Sequence, residues 1–325
     1  LTGPLVAQHN KEVFEGLLGI GHEELVAGFE DGTFWPKDFD MAPYPYLQEM
    51  IDDASPVEWK GLKAGPNAAP TPLQAAGGGA LDGLRVLELS DEKGQWCGKL
   101  MGDMGADVIK IEPPGGEATR TIGPFYQDIP NRERSLYFWH YNTSKRGITL
   151  DLETEDGRRL FRQMAEKADV ILETFRPGYM ASLGLGYDDL KESNPGLIMC
   201  SLTPFGQTGP WKDFKACDLV HLAAGGQMAS CGYDEADVPE RPPIAPGGGQ
   251  AWQIGCHYAY IAIAAALVHR TVTGRGQYID ASIHESCALT TEGTVSLYIY
   301  TGQLVRRQTG RHASVTPTDR TQQMS

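Results

Sequence analysis

Through the middle of the chain, short apolar runs alternate with amphipathic stretches. The runs at 84–89, 107–112, 147–151, 169–173 and 197–202 have strand length and strand-favouring residues. Between them, 94–104, 154–167, 178–183 and 187–192 carry helical spacing. Such alternation predicts a mainly parallel sheet covered by helices. The clearest unit is Gly83–Pro114, GLRVLELSDEKGQWCGKLMGDMGADVIKIEPP, where strand, helix and strand fit the size of one βαβ unit. Such a unit puts a loop and a helix N-terminus at the carboxyl end of a parallel strand, where phosphate-bearing ligands bind. Its glycines, Gly94, Gly98, Gly102 and Gly105, do not fit the G-x-G-x-x-G fingerprint. A nucleotide-like ligand other than ordinary NAD is therefore expected.

Further along, 216–231 and 251–272 read as helices joined by the loop PPIAPGGGQ, Gln277–Ile283 as a strand, and Glu285–Gly302 as one helix. The longest apolar run, Tyr258–Val268, is about half the length of a membrane helix and predicts a buried core helix. At the other end, Asn10–Leu18 and His22–Phe29 are amphipathic, with Gly19 and Gly21 as stop signals. From Trp35 to Ala80, prolines at 36, 43, 45, 56, 66, 70 and 72 predict an extended linker, with one short helix near Tyr46–Asp53. The first residue is Leu1, and the last residues, TDRTQQMS, resemble neither a helix end nor a finished strand, as expected of a fragment of a longer polypeptide.

Composition narrows the function classes. The 325 residues are 41% hydrophobic and 22% charged, ordinary for a globular protein. A net charge of -14 argues against nucleic acid or an anionic membrane as partner, and an anionic ligand would need a local basic pocket. The six cysteines (97, 200, 217, 231, 256 and 287) form no C-x-x-C pair and no metal-ligand spacing with histidine. They predict buried free thiols, a cytoplasmic protein and no metal.

Six local texts in series then form a pattern: the Gly83 block, Tyr141–Leu152 (YNTSKRGITLDL), Ala168–Gly178 (ADVILETFRPG), Leu183–Tyr187 (LGLGY), Asn194–Pro210 (NPGLIMCSLTPFGQTGP) and Thr273–Ser282 (TGRGQYIDAS). In this order and spacing they resemble the class III CoA-transferase family, the CaiB/BaiF type, to which formyl-CoA and carnitine CoA-transferases belong and to which α-methylacyl-CoA racemase is related. The resemblance implies an α/β fold, with a Rossmann-like large domain over 83–270 and a smaller domain beginning at about 271. It implies no prosthetic group, acyl-CoA and a carboxylic acid as substrates, and an interlocked homodimer or a tandem pseudo-dimer. It places CoA near the first βα turn, here Gly94 and Gln95. A carboxylate would attack the acyl-CoA thioester, helped by amide donors that stabilise the developing oxyanion.

In the family's transferases that carboxylate is an Asp between a glycine and a proline pair. The corresponding text here is Gly232–Pro243, GYDEADVPERPP, a few residues longer. Counting from Gly232 reaches Glu235, and counting back from Pro242 reaches Glu240, with Asp234 and Asp237 nearby. A solvated acidic loop is the bland reading. Asp218 matches an Asp used by the racemases for proton transfer, but no His lies between His140 and His221 to act as a second base. Asp218 is thus expected at a helix start or in packing. Racemase or isomerase activity, and a noncatalytic partner subunit, stay open beside CoA transfer.

For CoA phosphates the candidates are Lys145 and Arg146, just before a strand, Arg176 in FRPG at a strand end, and Arg120 after Gly115–Gly116. Thr174 replaces the family's Asn, which weakens one expected contact. Gly247–Gly249 before a helix could cradle an anion. His221 and His257 read as core histidines, and Trp96 either covers the ligand or packs. Finally, residues 3–32 resemble the C-terminal signature of the same family, displaced to the front. The expected organisation is a tail of one family domain (1–34), a linker (35–82) and a second domain (83–325).

Overall fold

The computed structural model describes residues 2–59, 79–234 and 237–307. Six strands form one sheet: β1 (Arg85–Leu89), β2 (Asp107–Glu112), β3 (Lys145–Thr149), β4 (Val170–Glu173), β5 (Ile198–Thr203) and β6 (Tyr278–Ser282). Their order is β3-β2-β1-β4-β5-β6, and every pairing is parallel. The order reverses between β1 and β4, which opens a crevice at their carboxyl ends. β6 pairs with β5 from Met199↔Tyr278 to Thr203↔Ser282. The main sheet therefore extends past residue 270, into the part expected to begin a smaller domain.

The helices are α1 (His22–Asp31), α2 (Pro45–Asp52), α3 (Gln95–Asp103), α4 (Leu136–Tyr141), α5 (Glu155–Ala165), α6 (Tyr179–Ser182), α7 (Tyr187–Leu190), α8 (Asp218–Ala224), α9 (Gln250–Thr273), α10 (Ile283–Leu289) and α11 (Glu292–Thr301). Side chains alternate across the sheet. Leu87, Ile109, Ile148 and Ile171 face one core with Phe161 and Met164 of α5. Val86, Val108, Val170 and Ile198 face a second core with Met101 of α3 and Ala259 and Ile263 of α9.

Three expected elements differ. The helix read over 216–231 is α8 plus a 3-10 turn at Gln227–Ser230, separated at Gly226, whose φ of 96° breaks the helical path. The helix read over 285–302 is two helices parted at Thr290–Thr291. α9 is 24 residues long and is the one helix among the described residues with the length and apolar composition to cross a membrane. It packs on the sheet instead, burying the stripe Ala251, Gly255, Cys256, Ala259, Ile263, Ala266 and Leu267. Its opposite face leaves Ile261, Val268 and Val272 exposed, so only part of the apolar run is core.

The N-terminal segment is part of this architecture. Glu12–Leu18 forms a π-helical stretch that buries Val13, Phe14 and Leu17. The proline-rich stretch carries α2 where a short helix was expected, but as far as residue 59 it is not a detached linker. Phe34, Trp35, Tyr44, Leu47 and Trp59 are buried and join the core on the α5 side of the sheet. Residues 60–78 lie outside the described residues.

The same segment covers the outer edge of β3. The His9 amide donates to the Gly147 carbonyl and the Gly147 amide to His9 Nδ1, both at 3.0 Å. The Thr149 amide donates to Asn10 Oδ1 at 3.0 Å, and the Asp151 amide to the Thr33 carbonyl at 2.8 Å. An edge strand with its donors satisfied offers no template for pairing with another chain.

Candidate functional site

The crevice is built from the loops that follow β1 and β4. Gly94 sits where α3 comes close to both strand ends: a Cβ there would lie 2.6 Å from Thr174 Cγ2 and 2.7 Å from Ser90 Cβ. Thr174 Oγ1 donates to Asp91 Oδ1 at 3.0 Å and accepts the Asp91 amide at 3.1 Å. Thr174 thus binds the two loops together instead of merely replacing an amide. Lys93 pairs with the Asp91 carboxylate on the same loop. At the end of β4, Glu173 is 3% exposed, and its Oε2 accepts the Phe175 amide at 2.7 Å. Burial pushes its carboxyl up to about 7, although the Ser201 and Phe175 donors oppose the rise.

Arg176 projects from the same loop, exposed, with its guanidinium 6.0 Å from the Tyr179 ring. The loop is held by Gln207, whose Oε1 accepts the Gly178 amide at 3.1 Å. The Gln207 amide in turn donates to both carboxylate oxygens of Asp280 on β6, each at 3.0 Å. A chain from β6 through the β5 loop therefore fixes the loop that carries Arg176.

The other expected phosphate ligands are engaged elsewhere. Lys145 is buried, with Nζ 2.7 Å from Glu88 Oε2 and donating to the Gln95 carbonyl at 2.9 Å and Asn142 Oδ1 at 3.0 Å. Burial lowers its ammonium to about 8, with Glu88 opposing. Lys110 lies beside it, 3.3 Å from Glu88 and 3.2 Å from Glu117, and donates to the Ser90 carbonyl at 2.8 Å. Burial pushes Glu117 up to about 7 against the pull of Lys110. Arg120 is fully buried, holding both Glu112 oxygens at 2.6 and 2.7 Å, Glu133 at 3.0 Å and the Pro4 carbonyl at 2.9 Å. Arg146 stands near the amino end of β3, paired with Asp107 and with Glu12 at 3.2 Å, over the Trp59 ring at 4.9 Å. Lys145, Arg120 and Arg146 thus neutralise carboxylates of their own fold, which corrects the expectation that these three face a phosphate.

Gln95, at the start of α3, is also inward. Its amide bonds Glu117 and, at 2.8 Å, Thr119 Oγ1, while its Oε1 accepts from Asn142 at 3.3 Å. Trp96 stacks on His140 at 6.2 Å and touches Tyr141 and His257. His257 is exposed and not a core histidine, whereas His221 is fully buried as expected.

Asp218 begins α8, and its Oδ1 accepts the Ala251 amide in the first turn of α9 at 2.7 Å, a packing and capping role. Gly248 and Gly249 precede α9 with φ of 84° and 69°. In the acidic loop Asp237 and Glu240 are exposed, and Glu240 takes a φ of 65°, rare for a residue with a side chain. Glu235 lies outside the described residues. Among those described, no group of three or more His, Cys, Asp or Glu could hold a metal. Cys97, Cys200, Cys256 and Cys287 are buried as expected, but Cys217 is exposed and Cys231 only half-buried. Neither of the last two lies in the cores of the sheet.

Of the residues that line or brace this crevice, Arg176 and Thr174 stand out from sequence alone, but Asp91, Lys93, Glu173, Gln207 and Asp280 do not. Their one signal was position, since Asp91, Lys93, Glu173 and Gln207 all lie at or just beyond the carboxyl end of a predicted strand.

The CoA-transferase family III model matches residues 81–322. Over 230 residues the chain is 37% identical to the succinyl-CoA:(R)-benzylsuccinate CoA-transferase subunit BbsE of Thauera aromatica, covering 71% of this chain and 55% of that one. It is 37% identical over 246 residues to the succinyl-CoA:mesaconate CoA-transferase of Haloarcula hispanica, covering 74% and 61%. It is 38% identical over 244 residues to the acetyl-CoA:oxalate CoA-transferase of Acetobacter aceti, covering 74% and 60%. The crystal structure of a CaiB/BaiF family protein from Brucella suis superposes with a TM-score of 0.65 at 40% identity, over 70% of this chain and 59% of that one. The chain thus spans between 55% and 61% of the length of these curated relatives. With most of its length matched and its parallel sheet shared with a solved relative, the chain belongs to CoA-transferase family III, the CaiB/BaiF type.

Proposed function

We propose that the protein moves CoA from an acyl-CoA thioester to a carboxylic acid, with CoA entering the crevice between β1 and β4. The family match over residues 81–322 carries this reading. Arg176, exposed at the crevice and held by the Gln207–Asp280 chain, is the cation that suits the CoA phosphates. The acids are dicarboxylic, because benzylsuccinate, mesaconate and oxalate in the relatives' names all carry two carboxyl groups.

Glu240 is the proposed nucleophile. It keeps the place before the proline pair, it is exposed, and its left-handed backbone is strain of the kind that gathers at functional sites. A carboxylate oxygen attacks the thioester carbonyl carbon, the C–S bond breaks, and CoA leaves as a thiolate, giving a mixed anhydride. The thiolate then attacks the enzyme carbonyl, freeing the donor acid and leaving CoA on the glutamyl group. An incoming carboxylate repeats the sequence in reverse and departs as the new acyl-CoA.

The exposed apolar faces of α9 (Ile261, Val268, Val272) and α11 (Val295, Tyr298, Ile299, Tyr300) are the proposed contacts with a second family domain, as a homodimer or a tandem pseudo-dimer. One observation favours a second reading, a partner subunit without its own nucleophile: the Thauera relative is named as a subunit.

Trapping separates the readings. Full-length protein incubated with succinyl-CoA and then hydroxylamine should carry a glutamyl hydroxamate at Glu240, and Glu240→Gln should lose both the adduct and CoA exchange. An adduct at Glu235 would move the nucleophile. No adduct and no exchange would favour the subunit reading.

A further inference from the structure

Two imidazoles with buried ring nitrogens that lack a hydrogen-bond partner among the described residues stand beyond the carboxyl ends of β5 and β6. His221, on α8, is 0% exposed, and neither of its ring nitrogens has a hydrogen-bond partner. His284, near the start of α10, also has a buried Nδ1 without a partner. Their ring centroids are 6.3 Å apart. The His284 amide donates to the Pro204 carbonyl at 3.0 Å, which pins the start of α10 to the loop after β5.

Aromatic walls complete a box. Phe205 lies 5.2 Å from His221 and 5.4 Å from His284, Trp252 lies 5.4 Å from His221, and Trp211 lies 5.6 Å from His284. Trp211, which is 50% exposed, marks the solvent side of the cluster next to His284. A neutral imidazole has one N–H donor and one lone pair, and folded proteins rarely bury both without a partner. The pair lacks the third ligand a structural or catalytic zinc needs. A CoA phosphate would call for Lys or Arg, and the walls are aromatic.

We propose that the His221–His284 box receives the non-reacting carboxylate of a dicarboxylic acid substrate. This rests on the CoA-transfer reading and adds to it the residues that select the acid. Each ring offers an N–H to a carboxylate oxygen, a charge-assisted hydrogen bond away from bulk water. Burial, with His284 beside it, lowers the His221 imidazole to about 4, so at neutral pH it meets the carboxylate as an uncharged donor.

The test compares succinate with butyrate, acids of equal chain length with and without a second carboxylate, as CoA acceptors of the full-length protein. His221→Phe and His284→Phe keep a ring and remove its nitrogens. Each should raise KM for succinate about tenfold, the loss of one charge-assisted hydrogen bond, while kcat and the KM for butyrate hold. Equal changes for both acids, or none, would overturn the proposal. Thermal melting identifies a variant that fails to fold, and the other then carries the comparison. If the unaltered protein transfers CoA to no acid, the transfer reading fails by itself, and the His221 ring-nitrogen NMR resonances decide about the box. A shift with succinate and none with butyrate sustains it, and any other result sinks it.

Discussion

The Thr174 hydroxyl joins the two loops of the crevice by donating to the Asp91 carboxylate at 3.0 Å while accepting the Asp91 amide at 3.1 Å. Both loops leave parallel strands at the point where the strand order reverses, and each carries a charged side chain, Lys93 on one and Arg176 on the other. Thr174→Val keeps the shape and removes both bonds. It should cost about 1–3 kcal/mol of stability, read as a lower denaturation midpoint. On the proposed function, in which these loops position the ligand and do not react, it should also raise KM for acyl-CoA several-fold with a smaller effect on kcat. An unchanged KM would separate this pair from ligand binding.

Glu173 gives a pH signature. Its carboxyl is raised by burial from 4.5 to about 7, so between those values the folded protein holds a proton that the unfolded chain has released. Stability from this group is therefore present below about 4.5 and is lost as pH rises towards 7. The loss is at most roughly 3 kcal/mol. Glu173→Gln cannot ionise, so its stability relative to the unaltered protein should climb from pH 5 to pH 8. Denaturant titrations at the two pH values read the difference, and parallel curves would show that Glu173 ionises normally.

Gly98 explains one of the glycines that fails the dinucleotide fingerprint. A Cβ at this position would lie 1.7 Å from Glu88 Oε2, and Lys145 and Lys110 hold that carboxylate from the other sides. Gly98→Ala should therefore be badly destabilised although alanine favours helices. Lys145→Met tests the same network differently, by leaving the Glu88 carboxylate without one of its two ammonium partners. A loss of about 3–5 kcal/mol is expected. The double variant Lys145→Met with Glu88→Leu should recover only part of that loss, since it removes the under-paired carboxylate but leaves the buried Lys110 ammonium to Glu117 without Glu88.

β1, β2, β4 and β5 were legible because each is a short, mainly apolar run bounded by turn residues, whereas β3 starts at Lys145, two residues before the expected position, so Lys145 and Arg146 lie within the strand and not before it. Lys145 and Arg120 were misread for a physical reason. A sequence shows that a residue is cationic but not which carboxylate it meets, and their partners Glu88 and Glu133 sit on separate elements or loops. His221 and His284 likewise meet only once β6 has joined β5. In the proline-rich stretch, the prolines outweighed a better signal, the closely spaced Phe34, Trp35, Tyr44 and Leu47, which a solvated linker has no reason to carry.

That stretch and the segment before it make the last prediction. Asn10 is fully buried, and its side chain accepts the Thr149 amide at 3.0 Å and donates to Thr149 Oγ1 at 3.2 Å. It thereby replaces a strand at the outer edge of β3. Asn10→Ala leaves a buried backbone donor unsatisfied and should cost about 2 kcal/mol. Asn10→Asp retains the acceptor but loses the donor and buries a charge, so it should be no better. Amide hydrogen exchange provides the local readout: Gly147 and Thr149 should lose protection in Asn10→Ala before β1 and β4 do. Uniform loss across the sheet would mean that the segment contributes only to global stability, whereas loss confined to β3 would identify residues 5–10 as its edge cover.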